Sequence, residues 1–166
     1  MKKLLLILGL IGLSIFSTDA IAKQKKVLII ASYHPSLTWT DQCEQGIRSV
    51  IGSEYQIHTF YMDTKRLPES EFRKRTDAAW NIYKNLNPDM VMTGDDNALK
   101  FLGPKFAKTE TPIIYFGINN NPRSYFDDLP TNITGVLERL PVFPWVRYLK
   151  TIMPDSKNLL VLMDSS

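Results

Sequence analysis

The chain has 166 residues and a net charge of only +3, from 20 basic and 17 acidic side chains. A balance this small and mixed does not favour binding to nucleic acid or to an anionic membrane surface. The length suits one core of ordinary size, and a single cysteine excludes an internal disulfide.

The first 22 residues have the layout of a secretory signal peptide. Two lysines precede the uncharged, mostly apolar stretch Leu4–Phe16, and Ala20-Ile21-Ala22 forms a small-x-small cleavage site. We predict cleavage after Ala22, which leaves a mature chain that begins at Lys23. An uncut membrane anchor is the alternative, although the apolar stretch is shorter than the roughly 20 residues of a spanning helix.

Apolar runs alternate with amphipathic segments along the mature chain. The predicted strands are Lys26–Ser32, Tyr55–Met62, Met90–Met92 and Pro112–Phe116, then a short extended piece at Asn132–Leu137 and an apolar strand at Leu159–Met163. The predicted helices place their apolar faces at Cys43, Ile47, Val50 and Ile51; Phe72, Thr76, Ala79, Trp80, Tyr83 and Leu86; Ala98, Leu99, Leu102 and Phe106; and Val142, Trp145, Val146, Leu149 and Ile152. This alternation predicts an α/β fold with a parallel sheet and helices on both faces.

Three details of these elements can be checked directly. We expect Thr40 or Asp41 to cap the first helix, and Cys43 to be a small buried core residue. A buried parallel strand is normally followed by a crossover that covers it, and only Asp164-Ser165-Ser166 follow Leu159–Met163. We therefore expect that the sequence is a fragment; the alternative is a compact domain whose last strand joins the sheet.

Aromatic, small and polar side chains follow the predicted strands. In an open parallel α/β sheet, ligands bind at the carboxyl ends of the strands. The predicted ligand-binding residues are Ser32, Tyr33, Trp39, Thr93, Asp95, Phe116, Gly117, Asn119 and Asp164. Tyr33 and Trp39 would stack on a small polar organic molecule, Asp95 would meet a cation or hydroxyl, and Gly117 would admit the ligand close to the backbone.

Each of these residues also suits a purely structural role. Ser32 and Asp95 are helix-capping types, Gly117 permits a turn, and Asn119 is a common turn former. Trp39 would also pack on its own loop. The residue types alone leave both interpretations open.

Catalytic and metal-binding motifs are missing from the sequence. It contains no G-x-S-x-G elbow and no H-E-x-x-H, and the first strand continues into Ser-Tyr-His-Pro instead of a Gly-rich phosphate loop. The pair Asp95-Asp96 is a weak indication of a metal. We predict a protein that is not an enzyme and uses no metal or cofactor.

A signalling receiver domain is a rival with a similar strand order. It would need acidic residues directly after the first strand, where Ser32 and Tyr33 stand, so the sequence does not favour it.

Several segments in order carry a family resemblance. They are V-L-I-I-A-S-Y-H-P (27–35), W-T-D (39–41), N-P-D-M-V-M-T-G-D-D-N-A (87–98), T-P-I-I-Y-F-G-I-N (111–119), N-I-T-G-V (132–136) and L-K-T-I-M-P-D-S-K-N-L-L-V-L (149–162). Together they resemble the periplasmic substrate-binding proteins of ABC transporters, in particular the group called the uncharacterised ABC substrate-binding family, with the type I periplasmic-binding-protein fold.

The resemblance implies a division of the chain and a function. Residues 1–22 would be the signal peptide, 23–137 an N-terminal α/β lobe, and 138–166 a crossing segment with the incomplete start of a second lobe. The expected function is capture of a small solute in the cleft between two lobes, in the periplasm, for delivery to an ABC permease in the membrane. The alternative is an extracytoplasmic ligand-sensing domain of a membrane histidine kinase or cyclase, because such domains share the fold and the S-Y-H-P…W pattern.

Overall fold

A computed structural model describes residues 24–128, 130–139 and 141–162. The predicted signal peptide, Met163 and the candidate Asp164 lie outside the described residues. The strands are β1 (Lys25–Ala31), β2 (Tyr55–Tyr61), β3 (Met90–Gly94), β4 (Ile113–Ile118) and β5 (Ile133–Leu137). The helices are α1 (Thr38–Ile51), α2 (Phe72–Leu86), α3 (Asp95–Phe106) and α4 (Val142–Ile152), with short 3₁₀ turns at Glu69–Glu71 and Pro122–Tyr125.

The five strands form one sheet in the order β2-β1-β3-β4-β5, and every pair is parallel. This confirms the predicted α/β class. β1 is central, and Val27–Ala31 are buried, as expected for a continuous apolar run covered on both faces. The extended piece predicted at Asn132–Leu137 becomes β5, which lies at one edge of the sheet.

Helices cover both faces of the sheet. Phe60 of β2 lies beneath Arg75 of α2, with the guanidinium carbon 4.8 Å from the ring centre. Thr59 and Tyr61 instead hydrogen-bond to Glu44 of α1. Because successive strand side chains point to opposite faces, α1 and α2 lie on opposite sides. The buried core cluster joins α2 and α3 to the sheet through Leu28, Ile30, Met62, Ala79, Val91, Ala98, Leu102, Phe106 and Ile113.

The start of α1 differs from the prediction. The helix begins at Thr38, and the position before it is Leu37, which supplies no side-chain cap. Thr40 is buried within the first turn and Asp41 follows it, so neither is the cap. Cys43 is only half-buried and Val50 is 85% exposed, so the predicted apolar face of this helix is wrong at Val50, and Cys43 is not a core residue.

The predicted strand at Leu159–Met163 is also corrected. Residues 159–162 have neither helical nor strand conformation and are exposed. A strand forms when its backbone groups pair with a neighbour, and within the described part of the chain this segment has no ladder partner. The apolar side of α4 is largely exposed as well, with Phe143 82% and Trp145 52% exposed. No helix of the described residues has the length and apolar character needed to cross a membrane.

Ser32 joins three elements at the centre of the fold. Its backbone N–H donates to the Gly94 carbonyl at 3.0 Å, and its hydroxyl donates to the same oxygen at 2.8 Å. The hydroxyl also accepts from the Ala98 N–H at 2.8 Å. An ideal α3 would join Gly94 C=O and Ala98 N–H directly, so Ser32 bridges the first turn of the helix and ties it to β1.

A further network ties α1 to β2. Glu44 accepts hydrogen bonds from the Tyr61 hydroxyl at 2.5 Å, from Arg48 at 2.6 Å and from Thr59 at 2.8 Å. Burial alone would raise the pKa of Glu44, but these hydrogen bonds and the Arg48 charge outweigh it and hold that pKa below its ordinary value. Burial and the Glu44 carboxylate raise the pKa of Tyr61 to about 12.

Replacing Ser32 should destabilise the whole sheet. Ser32→Ala leaves the buried Ala98 N–H without its acceptor, which costs about 1–3 kcal/mol of unfolding free energy. Urea unfolding followed by circular dichroism measures the change. The control is Ser49→Ala, whose hydroxyl makes an exposed bond to Gly46 within α1 and should change stability by less than about 0.5 kcal/mol. Equal effects of the two substitutions would show that the Ser32 bridge is not stabilising.

Loss of Tyr61 should change how stability depends on pH. The pKa of Glu44 is lowered in the folded state. Ionised Glu44 therefore adds to the free energy of unfolding above the ordinary glutamate pKa, near 4.3, and this stabilisation is lost as the pH falls through the lower folded pKa. Tyr61→Phe should therefore cost about 1–2 kcal/mol at pH 7 and progressively less towards pH 3. Urea unfolding at pH 7, 5, 4 and 3 tests this. Tyr148→Phe, at a 65% exposed position, is the control. If the stability of Tyr61→Phe fell between pH 7 and pH 3 by as much as that of the wild-type protein, the interpretation would be wrong.

Candidate functional site

The candidate site lies at the carboxyl ends of β1, β3 and β4, where an open parallel sheet binds ligands. β1 leads into Ser32 and Tyr33, and Trp39 lies in the first turn of α1. β3 leads into Asp95, and Phe116 and Gly117 lie near the end of β4. Because β3 lies between β1 and β4, the three loops meet at one edge.

Three aromatic side chains, from the loop after β1, the first turn of α1 and the end of β4, form one surface, here called the aromatic wall: Tyr33, Trp39 and Phe116. Trp39 and Phe116 are near-parallel, with an angle of 20° and ring centres 6.2 Å apart. Tyr33 meets Trp39 edge-on, with ring centres 6.0 Å apart. All three are half-buried, so the wall presents apolar ring surface at the edge where a ligand would enter.

Two glycines make this wall possible. A Cβ atom at Gly94 would lie 2.5 Å from Cζ of Phe116, closer than any real side chain allows. Gly117 has a φ of 68°, in the left-handed region, and a Cβ there would collide with the Trp39 indole. The space beside Gly117 that we predicted for a ligand is therefore filled by Trp39.

Asp95 lies behind the wall, as the first residue of α3. It is 5% exposed and has a φ of 70°, which is uncommon for a residue other than glycine. The Tyr33 hydroxyl donates to its carboxylate at 2.7 Å. Burial raises the pKa of Asp95, helped by the charge of Asp96, against the opposing hydrogen bonds from Tyr33 and the backbone. A buried, strained acid beside an aromatic surface indicates a functional site.

A cation lies on the outer side of Tyr33. The Lys65 ammonium is 4.7 Å from the centre of the Tyr33 ring. Beside it, Arg66 forms a hydrogen-bonded ion pair with Asp63, whose φ is 60°. The rim of the site at the end of β2 is therefore charged and mixed in sign, whereas the wall is apolar.

Two predicted contact residues lie inside the fold instead. Ser32 has no exposed surface, and its hydroxyl is used between Gly94 and Ala98. Thr93 is also fully buried, and it shares its face of β3 with Val91, which belongs to the core cluster on the side of α3. Its hydroxyl has no hydrogen-bond partner among the described residues. Ser32 therefore ties β1 to the start of α3, and neither buried residue faces the wall.

Asn119 is exposed, and its loop is shaped by Asp96. The Asp96 carboxylate accepts from the Asn119 N–H at 3.0 Å, the Asn120 N–H at 3.3 Å and the Tyr125 hydroxyl at 2.7 Å. These groups donate to the carboxylate, which therefore organises the loop. No group of three or more histidine, cysteine or acidic side chains converges in the described part of the chain.

Glu138 belongs to the site and was not predicted. The indole N–H of Trp39 donates to its carboxylate at 3.2 Å. The two residues are 99 positions apart, and nothing in the sequence pairs them. Only the parallel pairing of β5 with β4 brings Glu138, the residue after β5, to this edge. A long-range contact of one acidic residue leaves no periodic signal that would have revealed it.

A separate cavity of about 420 Å³ lies beside β5 and the turn at Pro122–Tyr125. Its lining includes Tyr115, Arg123, Phe126 and Arg139, and none of the three wall residues. Tyr115 and Phe116 are neighbours on β4 and therefore point to opposite faces of the sheet. The cavity is thus distinct from the candidate site.

No protein-family model matches the chain, and no curated protein has significant sequence similarity to it. Solved structures do match. A conserved domain protein from Vibrio cholerae has a TM-score of 0.59 at 20% identity, over 80% of this chain and 45% of that one. The ABC domain in complex with L-Trp from Streptococcus pneumonia has a TM-score of 0.53 at 19% identity, over 80% and 44%.

A third match is the ligand-free, open structure of a substrate-binding protein with adhesive properties from Clostridium difficile. The TM-score is 0.55 at 18% identity, over 79% of this chain and 44% of that one. At such identities the likeness shows the fold alone. The chain spans less than half the length of each of these three proteins, and over that part it shares their α/β fold.

Proposed function

We propose that this chain is the ligand-binding part of an exported solute-binding protein, which captures a small organic molecule for an ABC transporter and catalyses no reaction. The observation that supports this most is the aromatic wall at the carboxyl edge of the sheet. Its rings are half-exposed and backed by Gly94 and Gly117, with the buried Asp95 beside Tyr33. A solvent-facing aromatic surface with one convergent polar group is typical of a small-molecule site.

The chemistry of the wall suggests how a ligand would bind. Flat apolar groups would stack on Phe116 and Trp39, since aromatic pairs add about 0.5–1.5 kcal/mol beyond the burial of their area. Asp95 and the Tyr33 hydroxyl would take a hydroxyl or cationic group at the inner end. The wall contains no serine, threonine, cysteine or lysine, and these side chains supply many of the nucleophiles of covalent catalysis.

The fold neighbours support the same class of function. Two of the structures named above are an ABC domain in complex with L-Trp and a substrate-binding protein. Both are more than twice as long as the part that this chain matches. In the proposed mechanism, a second lobe closes over the wall by hinge motion, and the closed form delivers the solute to a membrane permease.

The wall should be required for ligand binding. Thermal shift of the full-length protein against amino acids, nucleosides, sugars and polyamines should reveal a ligand, which at 100 times its dissociation constant adds about 2.7 kcal/mol of stability. Trp39→Ala should weaken that ligand at least about tenfold, as loss of a central aromatic anchor does. The matched control is Trp145→Ala, an exposed tryptophan on α4, which should leave the affinity unchanged.

Three results would contradict the proposal. One is that no compound in the four classes shifts the unfolding temperature. Another is that Trp39→Ala and Trp145→Ala bind the ligand equally well. The last is turnover of the ligand by the purified protein, because a solute-binding protein releases its ligand unchanged.

Export should be visible in the mature N-terminus. If residues 1–22 are a cleaved signal peptide, the protein recovered from the periplasm begins at Lys23 by intact mass spectrometry. Ala22→Arg places a large charged residue at the cleavage site and should leave the uncut chain in the membrane fraction. Lys23→Ala, just outside the site, should be processed normally. Recovery of the uncut wild-type chain from the cytoplasm would exclude a periplasmic binding protein.

A further inference from the structure

The indole of Trp39 is held along one edge by two neighbouring contacts. Its N–H donates to Oε2 of Glu138 at 3.2 Å. Next to the N–H, the Cζ2 and Cη2 edge of the six-membered ring lies on Gly117, where a Cβ atom would collide with it. These two contacts, together with Phe116 alongside, define where the indole can lie.

Glu138 is itself held firmly by the backbone. Its N–H donates to the Ile118 carbonyl at 2.9 Å, which continues the pairing of β5 with β4 by one residue. The next residue, Arg139, donates to the Asn119 carbonyl at 3.3 Å. Residues 138–139, which lead from the sheet towards α4, are therefore attached to the loop after β4 and to the aromatic wall.

Such an anchor matters because Trp39 is only half-buried and makes its other contacts through ring surfaces. Ring packing is tolerant of sliding, whereas a hydrogen bond from an indole N–H to a carboxylate has a defined length and direction. A side chain held in its binding geometry before the ligand arrives lowers the ordering cost of binding.

We propose that Glu138 is a positioning residue, which fixes the Trp39 indole over Gly117 and makes it follow any movement of residues 138–139. That Glu138 fixes the indole is inferred from the contacts of Trp39 alone. The meaning of these contacts for ligand affinity rests on the proposed function, in which the wall is the ligand surface and the segment after β5 leads towards a second lobe. No established property of the chain assigns a role to this acid.

Indole N–H resonances in a ¹H–¹⁵N spectrum test, without any ligand, whether Glu138 fixes the indole. The chain has three tryptophans, and the signal that disappears in Trp39→Phe identifies Trp39. In Glu138→Ala this signal should move upfield, and its exchange with solvent should accelerate about tenfold, the equivalent of losing one charge-assisted hydrogen bond. Glu138→Gln keeps an acceptor oxygen at the same position on a side chain of the same length. It should restore most of the protection of the Trp39 N–H from exchange.

The control is Glu110→Ala, an exposed acid in the loop before β4, which should leave the Trp39 signal in place. A structural role alone would lower the unfolding temperature in Glu138→Ala without a selective change at Trp39, so the Trp80 and Trp145 signals serve as internal references. A Trp39 signal unchanged in position and exchange rate in Glu138→Ala would overturn the inference.

The affinity for a ligand then tests whether Glu138 contributes to binding through Trp39. With the compound found by thermal shift, Glu138→Ala should raise the dissociation constant about tenfold in calorimetric titration, and Glu138→Gln less than threefold. If the wild-type protein binds nothing, the proposed function fails and the resonance result still decides the role of Glu138. If the Trp39 signal moves and the affinity does not, the wall is not the ligand surface that Glu138 serves.

Discussion

The hydroxyl of Ser32 lies between the Gly94 carbonyl and the Ala98 N–H, in the buried centre of the sheet. This contact sets the geometry of the site because Tyr33 follows Ser32 and Asp95 follows Gly94, on the two segments that the contact joins. With β1, β3 and the first turn of α3 locked together, the Tyr33 hydroxyl reaches the Asp95 carboxylate. Tyr33 in turn packs edge-on against Trp39.

The wall itself depends on small residues beneath large ones. Gly94 and Gly117 have no Cβ atom, so Phe116 and Trp39 can lie directly on the backbone. The arrangement is closely packed, and packing this tight transmits small shifts. A buried acid accompanies it, and burial raises the pKa of Asp95. Apolar ring surface beside the buried Asp95 agrees with the proposed ligand site.

Much of the fold could be predicted because it follows from local patterns. The apolar run of β1 and the helical spacing of α2 and α3 each carry a periodic signal, and the strand order places their loops at one edge. The pattern failed at Val50 and at residues 159–162, where apolar side chains lie exposed. Periodicity reports which side chains could be buried; burial itself requires a neighbouring element.

The site was only partly predictable for a similar reason. Residue types after the strands identified Tyr33, Trp39, Asp95 and Phe116, which the structure brings together. Whether Ser32 caps a helix or meets a ligand depends on the direction of one hydroxyl, which no sequence pattern specifies. Glu138 depends on a contact across 99 positions.

A crystal structure of the full-length protein with its ligand tests the aromatic wall most directly. If the wall is the ligand surface, the ligand contacts Tyr33, Trp39 and Phe116, with a polar group directed at Asp95. A ligand bound in the separate cavity beside Arg123 and Arg139, with the aromatic wall untouched, would contradict this assignment.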